Sequence, residues 1–375
     1  MNLLHKIFIS LGSNQGKRLQ NIQKSIDILY NEIGNILEIS PVYETKSWGF
    51  DSENFLNCCI SLTTNLGPNE LLIEFKRIEF LLGRKKKKSN EYEARLIDID
   101  ILFYENKIIN EVDLQIPHKS IVERKFVLKP LYDIAPNFVH PVFNKTISDL
   151  LLSCEDDGDI NLFPKKLTNP FSTYKLSKYK FIAIEGNIGS GKTSLSKMIS
   201  NDFNFNLILE SFTENTFLPK FYNDQTRYAF PLEMSFLADR YAQLSEVTND
   251  YNIKNDFIVA DYHISKSLLF SKITLSNDEY KLYQKFFEQF YNQLKQPDLY
   301  VYLYQKSASL IKNIKNRGRD YEQNIQPEYL EKINNSYLEF IKKSTDLNIK
   351  IIDISGLDFV NNRADYLYVL NQILD

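Results

Sequence analysis

Two clusters of residues in this chain are spaced for work on phosphates. The first lies in FIAIEGNIGSGKTSLSKMI, residues 181–199, with the spacing G-x-x-x-x-G-K-T. Gly186, Gly189 and Gly191 permit a tight turn whose backbone N–H groups converge on phosphate oxygens. Lys192 adds a point charge for the terminal phosphates, and the Thr193 hydroxyl suits Mg²⁺. A glycine-rich turn with no ligand is the plainer alternative. The context favours a nucleoside triphosphate: Phe181 to Glu185 read as a buried strand, and Thr193 to Ile199 as a helix whose positive end faces the anion. The whole loop, Asn187 and Ser190 included, is expected to bind nucleotide.

The second cluster is Leu96 to Phe103. Alternation along a strand puts Ile97, Ile99, Ile101 and Phe103 on one face and Asp98 with Asp100 on the other. Two like charges on a half-buried strand are unfavourable unless a cation neutralises them. A pair of Mg²⁺ ions bridging to a triphosphate does so; a solvated strand face is the alternative. The basic run from Arg84 to Lys88, with Arg95 beyond it, is either a solvated helix end or a loop that closes over phosphates.

Three acids end strands in the second half: Glu185, Glu210 and Asp261. Asp261 closes FIVAD and fits a metal-coordinating acid, whereas Glu210 closes NLILE and is placed to take a proton from a substrate hydroxyl. The alternative is that both cap the helices that follow. Arg317 and Arg319 flank Gly318, which suits a lid over a migrating phosphoryl group as well as it suits a helix end in water. Of the aromatics Phe217, Phe221, Tyr222, Tyr228, Phe230 and Phe236, most belong to a core and some to a base-stacking wall.

The elements that position these groups follow from periodicity. Lys6–Leu11 reads as a strand, 17–32 as a helix, Ile36–Tyr43 and Phe55–Leu66 as strands, and the stretch from Pro68 as a helix with a Leu71, Leu72, Phe75, Ile78, Leu82 stripe. With the strand at 96–103, this β-α-β-β-α-β order predicts an α+β ferredoxin-like sheet with helices on one face. From 179 onward strands at 179–185, 206–210, 257–261, 298–303 and 349–354 alternate with helices. That predicts an α/β parallel sheet covered on both faces, with ligands at the carboxyl ends of its strands. The polar, Pro- and Gly-bearing stretch after Ser153 marks a connection, so the expected domains are 1–160 and 179–375 with a linker at 161–178.

Composition narrows the partners. A net charge of −3 gives no general reason to expect nucleic acid or a membrane surface. Three cysteines, two of them adjacent, form neither a disulfide framework nor a zinc site. The opening MNLLHKIFIS is too short and too quickly polar for a signal peptide, and no window approaches a membrane span. A soluble cytoplasmic protein is expected.

The motifs LGSN, Tyr43-Glu44-Thr45, Phe55-Leu56-Asn57, Arg95-Leu96-Ile97-Asp98-Ile99-Asp100, Pro117-His118 and Arg124-Lys125-Phe126 follow in order. Across residues 4–145 they resemble the 6-hydroxymethyl-7,8-dihydropterin pyrophosphokinases of folate synthesis. The resemblance implies that Asp98 and Asp100 hold two Mg²⁺ ions, that Phe55 and Phe126 sandwich the pterin, and that Asn57 and the backbone near Thr45 read its edge. Arg95, His118 and Arg124 then contact ATP or the transferred phosphates, with Arg84 and one of Lys85 to Lys87 in the flexible loop.

Residues 179–345, through GNIGSGKTSL, LPKFYND, YAFPLEMSFLADRY, PDLYVYL and RGRDYEQNIQPEYL, resemble the deoxyribonucleoside kinases of bacterial deoxyadenosine/deoxyguanosine type. The resemblance implies Glu210 as general base on the 5′-hydroxyl, Tyr222 and Glu322 on the sugar 3′-hydroxyl, Glu233 and Arg240 on the base, and Arg317 and Arg319 as the lid. Many relatives have Asp/Glu-Arg-Ser where this chain has Asp261-Tyr262-His263. The task of that arginine falls to a lid arginine or is dispensed with.

The reading is a fused, bifunctional MgATP-dependent kinase acting on small molecules, with deoxyadenosine as its first deoxynucleoside substrate. A homodimer through the C-terminal domain is implied by the same resemblance. The rival is an ATP-binding regulatory protein with a catalytically dead, pterin-sensing first domain.

Overall fold

The computed structural model describes residues 4–47, 52–84, 94–174, 178–211, 215–249, 257–319, 322–323 and 325–374, with backbone alone for Thr173, Tyr222 and residues 247–249. Lys85 to Lys88, the candidate phosphate clamp, fall outside the described residues, as does the Tyr222 side chain. The chain divides into two units, Met1–Tyr174 and Lys175–Asp375.

The first unit opens with β1 (His5–Ser13), α1 (Arg18–Glu32), β2 (Asn35–Ile39), β3 (Tyr43–Thr45) and β4 (Phe55–Thr64). It continues with α2 (Pro68–Leu81), β5 (Asp98–Tyr104), a short hairpin of β6 (Ile109–Asn110) and β7 (Gln115–Ile116), α3 (Lys125–Ile134), α4 (Ile147–Leu152) and β8 (Ile160–Leu162). The main sheet runs β5-β1-β4-β3-β8, antiparallel throughout, with β2 also on β4. The single strand expected across 36–43 is two. Pro41 has no N–H for the ladder, so β2 pairs with residues 60–63 of β4 and β3 with residues 55–57.

Two features depart from the sequence reading. Helices cover both faces of the sheet: α1 packs on β1 and α2 on β5, while Val127, Leu128 and Leu131 of α3 cover Phe8, Cys59, Leu102 and Phe103 from the other side. The cause is a second apolar face that one layer of helices would leave wet. Phe103 belongs to that face because the β1–β5 register slips between Phe8 and Ile9. A bulge flips alternation, so Phe103 pairs with Phe8 across the ladder, while Ile99 and Ile101 stay with Leu11 and Ile9. Part of the stretch expected as linker joins this unit: β8 extends the sheet beside β3, and a 3₁₀ turn at Pro170–Thr173 rests on α1.

The second unit begins with β9 (Phe181–Gly186), α5 (Lys192–Phe203), β10 (Asn206–Ile208), α6 (Leu218–Asn223), α7 (Gln225–Asn249) and β11 (Ile258–Ala260). After these come α8 (Ser265–Thr274), α9 (Asn277–Tyr291), β12 (Leu299–Tyr304), α10 (Ser307–Arg317), α11 (Pro327–Lys343), β13 (Ile349–Asp353) and α12 (Arg363–Leu374). The sheet is wholly parallel in the order β10-β11-β9-β12-β13. β9 and β12 are almost continuously apolar, as strands buried on both faces must be. Their core is rich in tyrosine, and each buried hydroxyl needs a partner. The rings of Tyr302 and Tyr337 stack 4.9 Å apart; the Tyr337 hydroxyl donates to Glu185 Oε2 at 2.8 Å and that of Tyr302 to Asn334 Oδ1 at 2.9 Å.

Gly34, between α1 and β2, lies so close to β4 that an added Cβ would sit 1.9 Å from the Thr63 carbonyl oxygen. Gly34→Ala must therefore push β2 off β4. We expect a loss of more than about 2 kcal/mol from the first unit, seen as an earlier thermal transition while the second unit's transition stays put. An unchanged melting profile would contradict this packing.

Candidate active sites

In the first unit Asp98 and Asp100 stand on β5 opposite Gly12 and Ser10 of β1, and open on a cavity of about 230 Å³. Phe55 starts β4 and Phe126 lies in the first turn of α3, so two aromatic rings reach the same cavity from different elements. Asn57, Thr45, Arg95, His118 and Arg124 line it as well. Asn57 Nδ2 donates to Thr45 Oγ1 at 2.9 Å, which fixes both beside the Phe55 ring position. Arg84 is not in the cavity wall; its guanidinium bonds Asp98 Oδ1 at 2.6 Å and also Glu79.

The electrostatics are those of too many acids for their cations. Arg84 and Arg95 both grip Asp98. Asp100 is pushed up to about 7, first by burial and then by Asp98, against Arg124, Arg95 and Arg84. A carboxyl held so far from its ordinary value registers a deficit of positive charge, and oxygen donors in that setting suit a hard divalent cation. The donor set thus fits Mg²⁺. Burial, with Arg124 close by, pushes His118 down to about 4. Its Nδ1 accepts from the Ser120 N–H at 3.3 Å, so a neutral ring keeps its proton on Nε2, a donor without charge.

Sequence reading missed Glu79. It is buried, pushed up to about 7 by burial first, and its Oε1 accepts from the Ile99 N–H at 2.8 Å besides pairing with Arg84. It ties α2 to β5 and aims Arg84 at Asp98. The signal was an acid on the apolar stripe, four residues after Phe75.

In the second unit the phosphate loop sits at the carboxyl end of β9, with Lys192 and Thr193 in the first turn of α5. Gly191 holds φ +85°, the left-handed region that starts this helix. Lys192 Nζ donates to the Gly186 and Asn187 carbonyls at 2.8 and 2.9 Å, and burial pushes it down to about 8. Thr193 Oγ1 donates to Asp261 Oδ2 at 2.5 Å, and the Glu210 N–H donates to Asp261 Oδ1 at 2.7 Å. A hydroxyl and a carboxylate in contact beside a phosphate loop also fit Mg²⁺. Gly189, Lys192 and Thr193 line a cavity of about 160 Å³; Asn187 instead turns its side chain to Leu330 and Asn334 of α11. The Ser190 hydroxyl is buried behind the loop.

Of the three strand-end acids, Glu210 and Asp261 reach this cavity and Glu185 does not. Glu185 is fully buried under the loop, where Oε1 accepts from the His263 N–H at 2.7 Å and Oε2 from Tyr337. Glu210 is held by Lys266 on Oε2 and by Arg240 on Oε1 at 2.6 Å. Burial alone would raise this carboxyl, but Lys266 and Arg240 outweigh it and hold it well below the usual carboxylate range. Arg240, expected beside Glu233, is committed to Glu210 and to Ser267 Oγ at 2.6 Å. Arg317 and Arg319 both pair with Glu322, and all three line the cavity.

Lys266 went unnoticed in the sequence. It is buried on the first turn of α8, lines the cavity, and its ammonium lies 5.5 Å from the Phe270 ring centroid. It supplies a cation four residues after Tyr262, whose own hydroxyl turns away to Gln243 at 2.7 Å. A lone lysine in the otherwise uncharged run YHISKSLLFS was its signal.

Comparison with known proteins divides the chain in the same place. Residues 8–136 match the family described as 7,8-dihydro-6-hydroxymethylpterin-pyrophosphokinase, and residues 182–375 match that described as deoxynucleoside kinase. The chain is 36% identical over 190 residues to deoxyguanosine kinase of Bacillus subtilis, covering 50% of this chain and 92% of that one. It is 40% identical over 144 residues to 2-amino-4-hydroxy-6-hydroxymethyldihydropteridine pyrophosphokinase of Aquifex aeolicus, covering 38% of this chain and 88% of that one. Among solved structures, deoxyadenosine kinase from M. mycoides with bound dATP is 27% identical, covers 51% of this chain and 99% of its own, and has a TM-score of 0.45.

The burial of His118 has a direct spectroscopic consequence. Its ring is expected to titrate near pH 4 and to be neutral at physiological pH, whereas an exposed imidazole titrates near 6.5. The chain has four histidines, so the signal is assignable by NMR of a His118→Gln comparison. A His118 midpoint at the ordinary value would contradict the buried, Arg124-flanked position.

Proposed function

The chain belongs to two families at once, the 7,8-dihydro-6-hydroxymethylpterin-pyrophosphokinases through its first unit and the deoxynucleoside kinases through its second, and from that premise we propose how each site works. It is a bifunctional enzyme, a pterin pyrophosphokinase and a deoxynucleoside kinase. The observation that carries the mechanism is that each unit assembles its own acids, cations and aromatic wall around its own cavity. The regulatory alternative has no use for two such sets.

In the first unit Phe55 and Phe126 clamp the pterin ring, with Asn57 and Thr45 on its edge. Arg95, Arg124 and the neutral His118 donor bind the phosphates of ATP, and Arg84 steadies Asp98. The hydroxymethyl oxygen attacks the β-phosphorus and AMP departs. Asp98 and Asp100 would hold Mg²⁺, which when bound neutralises the transferring charge.

In the second unit the loop, Lys192 and the lid arginines hold the ATP phosphates, and Thr193 and Asp261 would hold Mg²⁺. Glu210 accepts the proton of the 5′-hydroxyl. A carboxylate held this acidic is a weak base, which fits a loose phosphoryl transfer whose proton leaves late. Lys266, whose ammonium holds Glu210 Oε2, takes over the task of the absent arginine and neutralises charge at the 5′-oxygen. Tyr222 and Glu322 take the sugar, and Glu233 reads the base. The proposed order of substrates is deoxyadenosine, deoxyguanosine, then deoxycytidine, with thymidine poor.

A homodimer through the second unit is proposed from the resemblance alone. A reducing, cytoplasmic setting is supported by the three free cysteines. No helix among the described residues is long and apolar enough to cross a membrane.

Nucleotide release separates the sites. Asp98→Ala is expected to abolish pterin-dependent AMP formation and leave deoxynucleoside-dependent ADP formation near normal; Lys192→Ala should do the reverse, by about a hundredfold or more. Equal loss of both activities in either variant would sink the two-site reading. Lys266→Ala should lower kcat for ADP formation by a similar factor with little change in the deoxynucleoside KM, and Lys266→Arg should recover part of it. A Lys266→Ala enzyme with normal kcat would remove Lys266 from the chemistry.

A further inference from the structure

Glu233 is 3% exposed on α7, yet it lines the second unit's cavity. Its Oε1 lies 2.8 Å from Thr274 Oγ1, and its Oε2 is buried with no hydrogen-bond partner among the described residues. Thr274 Oγ1 is also 3.0 Å from the Phe270 carbonyl oxygen, so its one proton is divided between two acceptors and an ionised Glu233 is poorly served. A proton on Oε2 gives that partnerless oxygen a donor and leaves Oε1 an acceptor for Thr274.

Among the described residues, the charged neighbours leave Glu233 without a close counter-ion. On its own helix Arg240 is bound to Glu210 and Ser267. From α8 Lys266 is bound to Glu210, and Glu210 itself approaches from the segment after β10. α9 contributes the Tyr283 hydroxyl, which donates to the Glu233 backbone carbonyl at 3.2 Å. Of the described side chains of α6, Leu218 and Phe221 line the cavity, and across it Arg317 and Arg319 are paired with Glu322. A buried carboxyl whose only side-chain partner is a neutral hydroxyl favours its uncharged form.

Resting on the reading of Glu233 as the base-contacting residue, we infer that it meets the base as a neutral carboxylic acid, and that loss of its proton moves selectivity from deoxyadenosine towards deoxyguanosine. The neutral acid presents one O–H donor and one C=O acceptor. These match adenine, whose N1 accepts and whose 6-amino group donates. The ionised form only accepts. It sets two lone pairs against adenine N1, while guanine still offers N1–H and its 2-amino group. Burial, opposed by Arg240 and Thr274, pushes Glu233 up to about 7, so the exchange falls within a workable range.

The test is the ratio of kcat/KM for deoxyadenosine over deoxyguanosine, measured on the full chain across pH. Because kcat/KM reports groups of the free enzyme, and groups that serve both substrates cancel in the ratio, the ratio isolates the base-reading group. It is expected to fall about tenfold from about pH 6 to about pH 8. In Glu233→Gln, whose amide offers one donor and one acceptor at every pH, the ratio should be flat. Thr274→Val, which removes the hydroxyl that favours the ionised form, should move the wild-type midpoint to higher pH. A flat wild-type ratio, with a Glu233→Gln enzyme whose base ranking has changed, would overturn the inference and leave Glu233 as base reader. A ranking unchanged in Glu233→Gln would overturn both. A swing that persists in Glu233→Gln would assign the titration to another group and overturn the inference. If Glu233→Gln does not fold, the wild-type and Thr274→Val profiles decide.

Discussion

The Glu210 carboxylate, largely shielded from solvent between the Lys266 ammonium and the Arg240 guanidinium, ties together the three segments on which the second unit's site is built. It lies beyond the end of β10, Arg240 on α7 and Lys266 on α8. Taking any one of these charges away strands the others in a poorly solvated interior, where a broken pair is far costlier than an absent one. The arrangement fixes the rotation of α7 and with it the direction of Glu233, seven residues before Arg240. It also explains why Arg240 is not at hand for the base: its fork is occupied. The result is a cavity-lining carboxyl, that of Glu233, left to a threonine hydroxyl.

The two units solve opposite problems of charge. In the second, one key acid has two cations and stays ionised. In the first, Asp98 absorbs Arg84 and Arg95, and Asp100 is left short of positive charge. Among the described residues no cluster of three or more His, Cys, Asp or Glu side chains stands ready to hold a metal alone. A cation held by Asp98 and Asp100 would need further oxygen donors, which phosphate or water can supply.

Whatever depended on short-range spacing was legible in the sequence. The phosphate loop, the Asp98–Asp100 pair and the strand-ending acids Glu210 and Asp261 all declared themselves through period and neighbours, and so did the parallel sheet. What escaped were relations set by tertiary packing. Nothing local says that Arg240 will choose Glu210 over Glu233, that Glu185 will be sealed under the loop by Tyr337, or that Glu79 will reach across to Ile99. The bulge that turned Phe103 to the other face is likewise a property of two strands together, invisible in either. Lys266 and Glu79 share a faint mark, a charge where the pattern calls for an apolar or small residue.

The short strand β8 has a bearing on how this chain can be divided. It lies fourteen residues or fewer before the end of the first unit and forms the outer edge of the sheet beside β3. A fragment cut after residue 159, ahead of β8, would bare the peptide groups of Tyr43 to Thr45, and an unprotected strand edge invites association with another copy. One cut after Tyr174 keeps that edge covered and the 3₁₀ turn on α1. Anyone wishing to transplant the pterin-handling half into another protein should carry the tail with it, because here the connector doubles as a selvedge.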